Sequence, residues 1–455
     1  MKTPTHNIAN LCLCRSGKWL ELFTVNKSIY IFLLFFSFYQ FLFAQEVHSL
    51  SDSLQTQNDS AKTFSPLPLG SLENDSSNIV ITSEELPWKD YRSLGDLLAS
   101  LPGFFYNDLG SVGQPSQLTY RGLGANSIGI FIDGRPMNEP LNGIADINFI
   151  PTEMIERVEI IPAPRSFLYG MNSNAVAINI ITKSYNSQIP YSRIKYMEGA
   201  YEEGFFDGVL AHNLSRNLNL SVGVQRRSTD GRYENSTDDE WSVRSKLRWN
   251  VSEKFNVELL QLDNKQKVGL FGGINPDSSQ DIYDPNFSVV ENPNEKKNLT
   301  RWDWQVNGIG KFFTDSLAVT IFSIYTNKDS KSYKELDEIF HENFIDINNR
   351  GIYLEQSINI NPLLIEGGVS ARNWGYHSFS SQYSNDYDET YKSIFGKIEM
   401  PFTPLLRVSL IGKTINNSNS DKWIPNYTQQ YLGGDISIGK KDALSGKIGI
   451  SSQSF

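Results

Sequence analysis

Cysteine is almost missing from this 455-residue chain: two occur, Cys12 and Cys14, and both precede an apolar run near the N-terminus. Once that leader is removed no thiol remains, which excludes disulfides, although an export route would permit them, and excludes thiolate metal sites. Histidine is scarce as well, with five in all, and His6 leaves with the leader. There is no GxSxG elbow and no HExxH helix. The glycine-rich GLGANSIG around Gly122 and Gly124 lacks the GxGxxG spacing and leads into strand-like sequence. No catalytic residue, no cofactor and no metal site is therefore expected. Excess positive charge is also lacking. The formal net charge is −10 with both signs interspersed, whereas nucleic-acid binding leaves a basic patch or stripe. The acidic cluster Asn385, Asp386, Asp388 and Glu389 carries oxygens that suit calcium, but a solvated loop is the plainer reading.

Long apolar runs are confined to one place, Ile29 to Ala44. This run falls short of the roughly 18 to 20 residues needed to span a membrane as a helix. It follows Lys27 and ends in a small residue before the polar QEVHSLSDSLQ, so 1–44 reads as a long leader with a signal peptide cleaved near Ala44. The next stretch, 45–77, is rich in Ser, Asp, Asn and Gln with Pro66 and Pro68, and reads as a flexible linker.

The chain then turns apolar in short periodic pieces. In SLGDLLASLPG, residues Leu94, Leu97, Leu98 and Leu101 share helical spacing, and Pro102-Gly103 stops the helix. Asp133-Gly134 separates SIGIFI from a polar segment and predicts a hairpin, because glycine accepts positive φ. RVEIIP and AVAINIIT alternate as strands with one face buried would, through Val158 and Ile160 and through Val176, Ile178 and Ile180. A small sheet with a helix packed on it follows for 78–184.

From Tyr191 the pattern becomes recurrent alternation: Leu218, Leu220, Val222 and Val224; Phe255, Val257 and Leu259; Trp302, Trp304 and Val306; Leu406, Val408 and Leu410. Short connections at Ser215-Arg216, Ser252-Glu253, Thr314-Asp315, Asn361-Pro362, Thr403-Pro404 and Lys441-Asp442 alternate with long polar ones. The long ones cover Thr229 to Glu240, Lys265 to Thr300, Thr326 to Asn348, Tyr376 to Glu389 and Thr414 to Gln429. Strands of roughly ten residues with loops sorted by length are the pattern of a transmembrane barrel, and 12% aromatic residues suit its interfacial girdles. About thirteen strands are expected over 190–455.

Five blocks in order resemble the TonB-dependent outer-membrane receptors: Arg121-Gly122, the IFIDGRP turn, Ile155 to Ile160, Leu168-Tyr169-Gly170 and Ala177 to Lys183. The resemblance implies a mainly β chain in which a small α+β plug domain sits inside a transmembrane antiparallel β-barrel. It implies roughly twenty-two strands, so about thirteen make the barrel look truncated. It implies active uptake of a scarce nutrient such as a ferric siderophore or cobalamin, or a glycan, across the outer membrane of a Gram-negative bacterium, with a TonB-type energising partner in the periplasm. On this footing Ile79, Val80, Ile81 and Thr82 are a candidate TonB box, with a plain edge strand as the rival reading. Arg121, Glu156, Arg157 and Glu159 match charged plug positions that face the barrel wall, with ordinary strand solvation as the alternative. Tyr106, Asn107, Gln114, Asn126 and Asn138 are candidate ligand contacts by fold analogy. A surface β-rich adhesin or glycan-binding protein, and a non-functional receptor remnant, are the competing readings of the whole chain.

Overall fold

The computed structural model describes residues 69–73, 79–108, 110, 112–185, 189–311, 318–336, 340–380, 384–403, 405–420, 426–439 and 445–454. The expected signal peptide, most of the expected linker, and the turns at Thr314-Asp315 and Lys441-Asp442 lie outside the described residues.

The first layer is small. Its elements are β1 (Ile79–Thr82), α1 (Leu94–Ala99), β2 (Phe104–Asn107), β3 (Gln117–Tyr120), β4 (Ile128–Ile132), β5 (Arg135–Pro136), β6 (Ile155–Pro162) and β7 (Val176–Thr182). Helix α1 starts where Ser93 caps it: the Asp96 amide donates to Ser93 Oγ at 3.3 Å and Asp96 Oδ2 accepts from the Ser93 amide at 2.9 Å, a reciprocal capping box. Leu94, Leu97 and Leu98 are buried as the spacing requires. Asp133 and Gly134 make the expected two-residue turn between β4 and β5, with φ of 46° and 79°. Two positive φ values in succession mark a type I′ turn, whose twist matches the strands it joins.

Five strands form one sheet in the order β1-β6-β7-β4-β5, with β4 and β7 parallel and the other pairs antiparallel. The expectation of one buried face is corrected for β7, where all seven residues are buried, Ala177 and Asn179 included. One side of this sheet packs on the core that contains Leu97 and Leu98, and the other contributes Ala177 to a cluster with Phe131 and Ile161.

The second layer is a thirteen-stranded antiparallel sheet in sequence order. Its strands are β8 (Tyr191–Glu198), β9 (Gly204–Ser215), β10 (Leu218–Thr229), β11 (Asp238–Ser252), β12 (Phe255–Gly269), β13 (Lys296–Gly310), β14 (Ala318–Leu336), β15 (Phe340–Ile360), β16 (Leu363–Phe379), β17 (Ser384–Thr403), β18 (Leu406–Asn419), β19 (Tyr427–Gly439) and β20 (Ser445–Ser454). The strand count is the expected one. The strand lengths are not: β14, β15 and β17 run to 19, 21 and 20 residues. Most of the expected loops Thr326 to Asn348, Tyr376 to Glu389 and Thr414 to Gln429 are therefore paired strand. The ladder of backbone hydrogen bonds continues after the outward side chains turn polar, and a reading based on apolar alternation ends the strand too early.

On β11 burial runs opposite to hydrophobicity. On β11 the buried positions are Asp238, Glu240, Ser242, Arg244, Lys246 and Arg248, while Trp241 and Trp249 on the other face are 44% and 52% exposed. Leu410 and Leu432 are 64% and 69% exposed. An apolar outer face with a polar inner one is the arrangement of a strand between lipid and a filled lumen. Among the described residues no helix is long and apolar enough to cross a membrane.

The thirteen strands wrap the small sheet. Contacts reach it from β8 through Lys195 to Glu153, from β11 through Lys246 to Thr182, from β13 through Asp303 to Arg135, and from β19 through Asp435 to Arg165. At β20 the fit is close enough to require glycine, since a Cβ on Gly449 would lie 2.5 Å from Pro164 Cδ.

Candidate functional site

The seam between the plug sheet and the surrounding strands is polar and concentrated in a few clusters. The densest gathers around Arg165, in the 3-10 turn Arg165–Leu168 that follows β6. Its guanidinium donates to Asp435 Oδ2 at 2.6 Å and Oδ1 at 2.9 Å, to Glu73 Oε1 at 2.5 Å and to Ser409 Oγ at 2.7 Å, and lies 3.2 Å from Glu399. Glu73 is shared: Lys397 Nζ reaches the same oxygen at 3.2 Å and Glu366 at 2.5 Å. Burial pushes the Glu73 carboxyl up, but Lys397 and Arg165 overcome it and hold the group at about 2. Burial likewise works against the charge on Arg165, and Asp435, Glu73 and Glu399 hold it on. Glu366 lies just after the Asn361-Pro362 turn, and Lys397 and Glu399 lie near the end of β17. The cluster is thus at the short-turn end of the barrel.

Segment 69–73 is clipped down at this same place. Ser71 Oγ donates to Glu159 Oε1 at 2.7 Å, the Leu72 amide to Glu159 Oε2 at 3.3 Å, and Asn179 Nδ2 to the Gly70 carbonyl at 2.8 Å.

A second cluster ties Arg135 to Asp303 at 2.7 Å, with Arg301 bridging Asp303 and Asp329 and with Gln305 Nε2 donating to the Asp133 carbonyl at 2.8 Å. Asp133 in turn accepts from the Thr182 amide at 2.9 Å and from Thr182 Oγ1 at 2.6 Å, locking the β4–β5 turn to β7. The third centres on buried Glu153, which meets Lys195 at 2.7 Å, Arg193 at 2.8 Å and the Tyr91 hydroxyl at 2.8 Å. Burial raises the Glu153 carboxyl, and Lys195 more than offsets it, leaving the group below the usual range. Burial and the Glu153 charge together push the Tyr91 phenol up.

With this geometry in view, the comparisons are specific. Residues 71–177 match the TonB-dependent receptor plug domain, and residues 167–429, more than half of the chain, match the putative porin family. The chain belongs to the TonB-dependent receptors, with a barrel of the putative porin family. A vitamin B12 transporter BtuB from Vibrio vulnificus strain CMCP6 is 34% identical over 147 residues, 32% of this chain and 23% of that one. BtuB from strain YJ016 is 25% identical over 265 residues, 53% of this chain and 40% of that one. The receptor thus spans less than half the length of the curated relatives it matches. Among solved structures, the copper transporter OprC superposes with a TM-score of 0.67 at 14% identity, covering 82% of this chain and 63% of that one. The siderophore receptor PirA from Acinetobacter baumannii gives 0.65 at 15%, covering 82% and 60%. These last two likenesses establish the fold.

The receptor places the expected residues unevenly. Ile79 to Thr82 is a paired edge strand, antiparallel to β6, with Ile81 fully buried. Of the four charged residues expected at the barrel wall, Arg121 is exposed, with φ of 50° and its guanidinium over the Tyr120 ring at 5.1 Å. Glu156 accepts from the Ser184 amide at 2.9 Å, and Arg157 pairs with Glu159 at 3.2 Å. These bonds of Glu156 and Arg157 run to Ser184 and Glu159, while the Glu156 charge also acts on Arg248 of the barrel wall. Arg135, Glu153 and Arg165 make direct wall contacts, and the sequence carried no local sign of it, because their partners lie far along the chain, 168 and 270 residues away for Asp303 and Asp435.

Among the expected ligand contacts, Asn107 and Asn126 are exposed and Tyr106 is partly buried. Two are corrected. Gln114 is buried and donates to the Gly269 carbonyl at 2.6 Å. Asn138 is buried and holds its own turn, donating to the Ile128 and Gly143 carbonyls and accepting from the Ile130 amide, each at 2.8 Å. Asn138 is fully engaged in its own turn, whereas Gln114 Oε1 is buried with no hydrogen-bond partner.

Proposed function

We propose that this receptor takes up a scarce small molecule, a ferric siderophore or cobalamin, across the outer membrane of a Gram-negative bacterium, driven by a TonB-type partner in the periplasm. The single observation that carries this reading is the attachment of segment 69–73. Glu73 joins the plug, through Arg165, to the barrel, through Lys397, at the short-turn end, which in such barrels faces the periplasm. A pull applied N-terminal to Gly70 loads the Asn179, Glu159 and Glu73 bonds in that order before it reaches β1. Releasing Glu73 frees one bond to the plug and one to the wall together.

The polarity of the seam fits such movement. Ion pairs separated by incoming water are rehydrated, whereas an apolar seam would expose surface at a cost proportional to its area. On this reading the partner grips the chain N-terminal to Gly70 rather than Ile79 to Thr82, which pairs as the edge of the plug sheet, and strand addition, in which main-chain hydrogen bonds supply the affinity, is the mode of grip. Ligand is met at the long-loop end, where Asn107 and Asn126 present exposed amides.

The test uses cells expressing the intact gene product and supplied in turn with labelled cyanocobalamin and a labelled ferric siderophore. Accumulation of one ligand that collapses on adding a protonophore, while surface binding persists, is the expected result. Accumulation indifferent to the protonophore, or binding of neither ligand, overturns the reading.

A further inference from the structure

Most buried cations of the seam between plug and barrel follow one rule. Arg135, Arg165, Arg227, Lys246, Arg301 and Lys397 each have a carboxylate within 4 Å. Lys413 on β18 and Arg372 on β16 break it. Lys413 is 7% exposed and donates only to neutral carbonyls, Phe167 at 3.0 Å and Leu168 at 2.8 Å. Arg372, partly buried, donates to Asn349 Oδ1 at 2.8 Å and to the Asn138 carbonyl at 2.9 Å. Among the described residues neither has an ion-pair partner within 4 Å. An ammonium has three donors and a guanidinium five, so both retain unused N–H groups.

The two cations line one cavity between the plug and strands β14 to β18, partly open to solvent. Tyr169, Tyr325, Tyr391 and Ser393 also line it, and its lining contains no Asp or Glu. In a chain of net charge −10, this is a local surplus of positive charge. Neutral carbonyls satisfy donors without cancelling charge, and an uncompensated buried cation is costly unless an anion joins it. Arg372 brings a planar fork that matches the paired oxygens of a carboxylate or phosphate.

We propose that this cavity binds a small oxyanion, a carboxylate or phosphate group, between Arg372 and Lys413. The cavity lining includes neither Asn107 nor Asn126, the residues assigned above to nutrient capture, although Asn172 in that lining donates to the Asn126 carbonyl at 3.4 Å, and the proposal does not depend on which nutrient is carried.

The experiment is equilibrium dialysis of the full chain in detergent micelles against labelled inorganic phosphate and, separately, labelled succinate. Saturable binding of at least one probe is expected, weakened about tenfold or more in Arg372→Gln and in Lys413→Gln, and retained in Lys413→Arg. Arg226→Gln serves as the control, because Arg226 pairs with exposed Asp239 elsewhere; it leaves binding unchanged. Phosphate alone or succinate alone identifies the oxyanion class. Circular dichroism of each variant separates a lost site from a lost fold, and the charge-retaining Lys413→Arg provides a second folded comparison. Absence of saturable binding of both probes to the wild-type chain overturns the proposal. So does binding that survives in the double variant Arg372→Gln/Lys413→Gln. Because no transport is measured, failure here leaves the uptake reading standing, and failure of uptake leaves this site standing.

Discussion

Strands β7 and β11 both bury side chains, yet they obey opposite rules. In β7 the buried residues are Val176, Ala177, Ile178, Ile180 and Ile181, with Asn179 and Thr182 as the polar exceptions. In β11 every residue buried below the surface is polar or charged, and the tryptophans point away. The difference is what lies on the far side. Both faces of β7 meet protein, so burial follows the hydrophobic effect. On the proposed outer-membrane reading one face of β11 meets lipid, which takes the apolar side chains, and the face toward the plug is left to hydrogen bonds and ion pairs. Burial in this molecule therefore does not identify a hydrophobic core, and a cohesive polar seam exists beside a conventional one.

Substitutions can test how separate the two kinds of burial are. The largest effect is expected from Arg165→Ala, which leaves the carboxylates of Asp435 and Glu73 buried without their cation; a loss of about 3–5 kcal/mol is expected in denaturant unfolding in micelles. A loss below about 1 kcal/mol would mean that water already shares those charges. In the apolar layer, Ile180→Ala should cost about 2–5 kcal/mol by the same measurement, through lost transfer energy and a cavity. On the outer barrel face, Leu410→Arg should cost about 2–4 kcal/mol in bilayers, while Leu410→Ala should change stability by about 0.5 kcal/mol or less. An arginine tolerated there would show that this face of β18 does not meet lipid.

Acid should loosen the seam and leave the apolar layer intact. The Glu73 carboxyl is held at about 2, below its ordinary 4.5. A depressed carboxyl contributes fully above its unfolded value, and the contribution is lost as pH falls through about 2. Fluorescence of a probe on segment 69–73 should report its release over that window, and Glu73→Gln should remove the transition. The smallest effect is expected at the helix: Ser93→Ala breaks the capping box of α1 and should cost about 1 kcal/mol, with no change in the acid transition.

Much of the barrel was legible because alternation with period two survives inversion: Leu218, Leu220, Val222 and Val224 share a face whether that face meets a core or a membrane. Turn chemistry was legible for the same local reason at Asp133-Gly134, where only a residue tolerant of positive φ fits. Strand ends were not, since the ladder in β14, β15 and β17 runs past the apolar stretch that announced it.

The wall contacts were the hardest to read. Charged residues on β6, at Glu156, Arg157 and Glu159, matched the receptor pattern, while Arg135 and Arg165, which pair directly with barrel carboxylates, carried no local signal of that role. The sequence alone determined strand periodicity, the helix and its stop, the hairpin turn and the family, because each rests on neighbours within a few residues or on ordered blocks. Only the tertiary structure decided which charges meet, that Ile79 to Thr82 is held as a sheet edge, and that Arg372 and Lys413 share a cavity with no carboxylate in its lining. Ion pairing and burial depend on distances between strands that are separated by hundreds of residues, and no local pattern encodes those distances.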